Sequence, residues 1–158
     1  MSLSNIVLVG VDGSPESGAA LTYAVAEANR RGARLRVVST YFPEYAVHGR
    51  TRPLTASETG IEVDLEAQTR RMVEEALAGE AEPPAVEVVV AAGPAAGVLI
   101  DRSGEVDVLV LGHHGRGGFA SMLLGSVSLQ CVLHARCPVI VVRPTGVPES
   151  APAAEPAD

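Results

Sequence analysis

Apolar residues fall along the chain in two kinds of block, short β-branched runs and longer stretches with a helical period. Residues 5–11 (NIVLVGV), 34–41 (RLRVVSTY), 86–91 (VEVVVA), 106–112 (VDVLVLG) and 138–143 (PVIVVR) read as strands. The first, fourth and fifth are nearly unbroken apolar runs, the pattern of strands covered on both faces. Between them lie four helical patterns. Residues 15–31 place Leu21, Ala24, Val25 and Ala28 on one stripe, with Ser14 as a capping residue, Pro15 in the first turn and Gly32 at the stop. Residues 60–78 place Ile61, Leu65, Met72, Val73, Ala76 and Leu77 on another. Residues 95–104 and 126–136 supply the third and fourth helices.

Strands that alternate with helices imply a mainly parallel sheet wrapped by helices, and right-handed crossovers leave few topologies. The two common doubly wound solutions both place a switch point beside the first strand, where ligands bind outside the carboxyl ends of the strands. Residues 42–59 (FPEYAVHGRTRPLTASET) form a connection longer than compact domains usually carry, so a mobile loop or lid is expected there. The Pro/Ala/acid-rich tail, residues 144–158, is expected to be disordered. One folded domain over residues 1–143 follows.

Composition narrows the chemistry. A chain of 158 residues is long enough for one domain with a proper core, and its 47% hydrophobic content with 3% aromatics makes that core Val, Leu, Ile and Ala. The net charge of −7 argues against a nucleic-acid partner, because no surplus of cations exists to displace counterions from a phosphate backbone. All 12 basic residues are arginines, which excludes Schiff-base lysines and the lysine of the usual phosphate loop. Asp12 interrupts the apolar run at the N-terminus, so no signal peptide is read there, and no segment approaches the ~20 apolar residues of a membrane span. Cys131 and Cys137 are too few for a disulfide scaffold and lack zinc spacing, so they read as buried free thiols in a cytoplasmic protein.

Two strand ends carry useful groups. After the first strand comes DGSPES, with Asp12 at the strand tip. After the fourth comes GHHGRGGFASMLLGSVS, residues 112–128, which closes with Gly125 and Ser126 at the start of the last helix. A helix N-terminus offers free N–H groups and about +0.5 of an elementary charge, which suits an anion. Glycines at 112 and 115 allow close approach of a phosphate, Gly125 allows a tight helix entry, and the hydroxyls of Ser126 and Ser128 can add donors. Neutral donors can thus hold phosphates without lysine. Neither a Walker-type loop nor a G-x-S-x-G nucleophile elbow is present.

The spacing that does occur is G-x2-G-x9-G-S, at Gly112, Gly115, Gly125 and Ser126. Together with VGVDGS near the start and CPVIVVR as the last strand, it resembles the ATP-binding branch of the universal stress protein family over residues 5–143. That resemblance implies an adenine-nucleotide alpha-hydrolase-like fold, a five-stranded parallel sheet of order 3-2-1-4-5 with four helices. It implies ATP, with Mg²⁺ or Mn²⁺, over the tips of strands one and four, and cyclic AMP as an alternative ligand. By position, Gly112, His114, Gly115, Gly125, Ser126, Val127 and Ser128 would surround phosphates and ribose. Asp12 would sit near the ribose or a bridging metal with Gly10 beside it, and the backbone at Thr40 would contact adenine. A homodimer through residues 138–143 is also implied.

Plainer roles compete for several of these residues. Asp12 can cap the first helix or its turn, and the glycines taken singly can mark a flexible loop. His113 and His114 are adjacent and have no Cys, Asp or Glu set beside them, which disfavours a metal pair. His134 falls in the last turn of the fourth helix, where a cation suits the dipole, and reads as structural. Arg116 can reach a terminal phosphate or remain a solvated loop charge. Hydrolysis would need a base and an activated water, for which Asp12 is the nearest carboxylate. The leading expectation is a non-enzymatic, dimeric nucleotide switch. A slow metal-dependent ATPase or phosphotransferase and a nucleotide-independent interaction protein are the alternatives.

Overall fold

A computed structural model describes residues 4–42, 56–114 and 124–144, the first four residues of the second segment by backbone alone. The elements in chain order are β1 (Ile6–Gly10), α1 (Pro15–Arg31), β2 (Arg34–Tyr41), α2 (Ala56–Leu77), β3 (Val86–Ala92), α3 (Ala95–Ser103), β4 (Val108–Gly112), α4 (Ser126–His134) and β5 (Val139–Val142). All pairings are parallel, and the strand order is β3-β2-β1-β4-β5, as expected from the sequence. Most of the expected tail, residues 145–158, and residues 43–55 of the expected connection lie outside the described residues.

Period-two alternation on the central strands divides the interior into two cores. Val7, Val9, Leu35, Val37, Val108 and Val110 face α1 and α2. Ile6, Leu8, Val38, Leu109 and Leu111 face the other way, against Leu99 of α3 and Cys131 of α4. Because β1 and β4 are buried on both faces, helices must cover both. Each buried Leu or Val contributes about 1.5–3 kcal/mol relative to exposure.

Local signals start and stop α1 as the sequence suggests. Ser14 has extended angles and its side chain accepts from the Ser17 N–H, Pro15 occupies the first turn, and Gly32 ends the helix at φ 61°. Cys131 is fully buried, and burial together with Cys137 nearby pushes its thiol up to about 11, so it stays protonated. Cys137 is only half-buried, contrary to the expectation of two buried thiols.

Expectations about two further elements, α2 and β5, are corrected. α2 begins at Ala56 rather than at residue 60, which shortens the connection after β2. The sequence does hold a signal for this: Thr55-Ala56-Ser57-Glu58 has the spacing of a capping box. Ile61, placed on the buried stripe, is 53% exposed. With 22 residues α2 is about 33 Å long, whereas the 8 residues of β2 span about 26 Å, so the first turns of the helix overhang the sheet. Contact with the core centres further along, where Thr69 and Val73 are buried. Thr69 donates its hydroxyl proton to Leu65 O, so across the 2.7 Å contact Ser39 is the donor and Thr69 the acceptor. The second correction concerns β5, whose four residues are all half-buried rather than covered on both faces. It is the sheet's edge, flanked only by β4.

Glu27 is a buried charge on α1, 3% exposed, and it is paired. Its carboxylate accepts from Arg30 Nη2 at 2.5 Å and from Arg31 Nε. Those two hydrogen bonds hold its pKa below the ordinary 4.5 against the opposing effect of burial. A depressed native pKa contributes stability that is complete above about pH 4.5 and is lost as pH falls through the lower native value. Urea unfolding of wild type and Glu27→Gln across pH 7 to 3 is expected to show the largest wild-type advantage at neutral pH. That advantage shrinks on acidification below about 4.5. A difference independent of pH would remove the ionised pair from the account.

Candidate functional site

The chain leaves β1 toward α1 on one face of the sheet and leaves β4 toward α4 on the other. Adjacent strands whose connections part in this way open a crevice at their carboxyl ends. An open cleft of about 570 Å³ lies there, solvent at its mouth included. Its walls are Val11, Val38, Ala95, Leu99, Leu111 and Val127, and its polar groups come from Asp12, Ser17, Thr40, His114 and Ser128, with Gly10 and Gly112 at the strand tips.

Of the residues singled out from the sequence, Gly10, Asp12, Thr40, Gly112, His114, Val127 and Ser128 line this one cleft. Gly125 and Ser126 are not in its lining. They form the N-cap and first residue of α4, and the Gly125 N–H donates to His113 O at 2.6 Å, tying the helix entry to the end of β4. Gly115 and Arg116 lie outside the described residues. Sequence patterns missed Val11, Ser17, Val38, Ala95, Leu99 and Leu111. Period two would have found Val38, which shares a sheet face with Thr40. Ser17 lies in the first helical turn after Asp12, a placement readable from the Ser14-Pro15 start signal.

Asp12 is tied into the start of α1. Its Oδ1 accepts from the Ser14 N–H at 2.9 Å, and its own N–H donates to Ser17 Oγ at 3.3 Å. Asp12 therefore does hold the turn, while its exposed side chain also borders the cleft. Gly13 between them has φ 82°, a left-handed angle that favours glycine.

Gly112 and Gly125 can be placed in the structure itself. Gly112 is a strand residue, and a Cβ there would lie 2.9 Å from both C and O of Glu16. Its missing side chain lets α1 approach β4, whatever it allows a ligand. Gly125 has φ −67° and ψ 163°, ordinary extended angles open to any residue. Ser128 is 4% exposed, and its hydroxyl donates to Gly112 O at 2.6 Å. That one proton is committed, so Ser128 offers the cleft an acceptor rather than the expected donor.

Both helices that start at the cleft on the α3–α4 side lack a side-chain cap, α3 after Pro94 and α4 after Gly125. Their first N–H groups and partial positive charge favour a ligand with negative charge or carbonyl acceptors. The His114 ring stacks on His113 with centroids 4.2 Å apart. His113 Nδ1 is buried with no partner among the described residues, and burial, with His114 and Arg143 nearby, pushes its pKa below 6.5. His113 is accordingly neutral at pH 7. Among the described residues, no three His, Cys, Asp or Glu side chains gather to hold a metal ion. None of the described helices is long and apolar enough to cross a membrane.

A doubly wound α/β domain with a cleft at its switch point is the class that the fold and the site define. The chain belongs to the universal stress protein family, whose model matches residues 4–143. Universal stress protein Rv2005c of Mycobacterium tuberculosis is 42% identical over 142 residues, covering 87% of this chain and 45% of the relative. Rv2623 of the same organism is 37% identical over 141 residues, with 87% and 44% covered. The chain thus spans less than half the length of these curated relatives. Among solved structures, UspA from Lactobacillus plantarum superposes with TM-score 0.64 at 24% identity over 90% of this chain and all of that one. A universal stress protein in complex with cAMP gives 0.62 at 24%, covering 90% and 98%. One from Archaeoglobus fulgidus in complex with dAMP gives 0.60 at 21%, covering 85% and 94%.

Gly112→Ala is expected to cost about 1–3 kcal/mol, because the atoms in its way are helix backbone rather than a flexible side-chain end. Urea denaturation measures this. An unchanged midpoint would mean that α1 shifts freely, contrary to its tight seat on β4.

Proposed function

We propose that the protein binds an adenine nucleotide in the switch-point cleft and acts as a non-enzymatic dimeric switch. ATP with Mg²⁺ or Mn²⁺ is the first ligand, and cyclic AMP is the alternative. The observation that carries this reading is the meeting of Gly10, Asp12, Thr40, Gly112, His114, Val127 and Ser128 in one cleft beside the uncapped start of α4. The apolar part of the lining, Val38 and Leu99 included, suits the adenine ring, and the backbone at Thr40 is its proposed polar contact. Phosphates would lie against the α4 amides, where the helix dipole favours them. Gly115, Arg116 and Ser126 belong to the proposed phosphate side by their place in the motif. Structural neighbours in complex with cAMP and dAMP support an adenine nucleotide in this fold.

Among the described residues that line the cleft, Asp12 is the one carboxylate. One carboxylate suits Mg²⁺ that arrives on a nucleotide, since that ion usually keeps its waters and takes few protein ligands. The ion would offset phosphate charge, while Asp12 orients it or the ribose. A cytoplasmic location is part of the same reading.

The proposed dimer forms through residues 138–143, which contain β5. An edge strand with half-buried apolar side chains is a natural place for a second copy to pair. On α4 next to it Leu129, Val132 and Leu133 are all exposed, at helical spacings that put them on one stripe.

Titration of nucleotide-stripped protein with ATP and Mg²⁺ is expected to saturate in the micromolar range, about −8 kcal/mol, with cyclic AMP titrated in parallel to rank the two ligands. Gly115→Trp is expected to abolish binding while the circular dichroism spectrum stays native. No binding by wild type at millimolar nucleotide, or full affinity in the folded variant, would overturn the reading. Light scattering is expected to give twice the chain mass of 16.3 kDa. A single-chain mass throughout a dilution series would remove the dimer.

A further inference from the structure

Ser17 closes the DGSPES stretch without being singled out there as a site residue, yet it is 4% exposed and lines the cleft beside Asp12. Its Oγ accepts from the Asp12 N–H at 3.3 Å and donates to Ser14 O at 3.0 Å. Its own N–H donates to Ser14 Oγ at 3.2 Å, and the Ser14 N–H donates to Asp12 Oδ1 at 2.9 Å. These bonds form a closed circuit that grips Asp12 at two points, the backbone nitrogen and one carboxylate oxygen. The hydroxyl of Ser17 has a single proton, and it goes to Ser14 O, so Ser17 donates nothing to a ligand in this arrangement.

We infer that Ser17 is a positioning residue, which fixes the direction of the Asp12 carboxylate at the mouth of the cleft. Its consequence for affinity rests on the nucleotide reading above; the grip on Asp12 does not. Without the hydroxyl, the Asp12 amide and the Ser14 carbonyl each lose a partner. The turn between them contains Gly13 at φ 82°, a residue with little steric resistance to reorientation. The carboxylate would then sample several directions, and an interaction that needs one of them weakens.

Two measurements test this on the full chain. The first is amide hydrogen exchange of ligand-free wild type and Ser17→Ala. Exchange at Asp12 and Ser14 is expected to accelerate about tenfold while Val9 in β1 stays protected. Unchanged exchange at both amides would overturn the inference whatever the ligand. The second is ATP·Mg²⁺ affinity in a cycle of Ser17→Ala, Asp12→Asn and the double variant. Ser17→Ala is expected to weaken binding about tenfold in the wild-type background and less than twofold beside Asp12→Asn. An equal loss in both backgrounds would mean that Ser17 acts independently of Asp12 and would sink the inference. Accelerated exchange in a protein that binds no ATP would overturn the nucleotide reading alone and leave Ser17 as the residue that holds Asp12.

Discussion

Burial of β1 and β4 on both faces is the constraint from which the rest of the molecule follows. Their side chains alternate between two cores, so neither strand can leave a face to water. Helices must cover both sides, and the chain must leave the two strands in opposite directions. The crevice at their carboxyl ends is a by-product of that departure. Gly112 shows how tightly the two requirements are joined. It ends β4, touches the cleft, and leaves no room for a Cβ under the Glu16 backbone. One missing side chain therefore serves the packing of α1 and the shape of the site together.

Polar groups around the cleft are mostly engaged by the protein itself. Asp12, Ser14 and Ser17 satisfy one another at the start of α1, and Ser128 satisfies the last carbonyl of β4. Side chains thus hold backbone in place, while the main-chain amides that begin α3 and α4 have no side-chain cap. Such donors are rigid, carry partial charge and need no lysine, in keeping with a chain whose 12 basic residues are all arginine. Rigidity here comes from short bonds between neighbours in sequence and from one longer link, Ser128 to Gly112.

The edge of the sheet has a different character. β5 is half-buried, and α4 beside it exposes a stripe of Leu129, Val132 and Leu133. The curated relatives are more than twice as long as the stretch they share with this chain. Apolar surface on an edge strand and its neighbouring helix is costly to leave in water, and covering it is a gain available to any second folded unit.

Sequence patterns alone determined the strand-and-helix order, both ends of α1 and most of the strand limits, whereas the order of strands in the sheet was implied only by the family resemblance. The patterns depend on periodicity and on local stop and start signals, which act over a few residues. The sequence also singled out seven residues that line the cleft. Tertiary structure alone decided what those residues do. That the Ser128 proton goes to Gly112, that Gly112 makes room for a helix, and that Ile61 is exposed where α2 outruns the sheet all depend on atoms distant in sequence. Val38, Leu99 and Leu111 entered the site for the same reason. An apolar residue on a buried strand or helix looks like core in any pattern, and only the place where two connections part from the sheet turns some of that core into a wall.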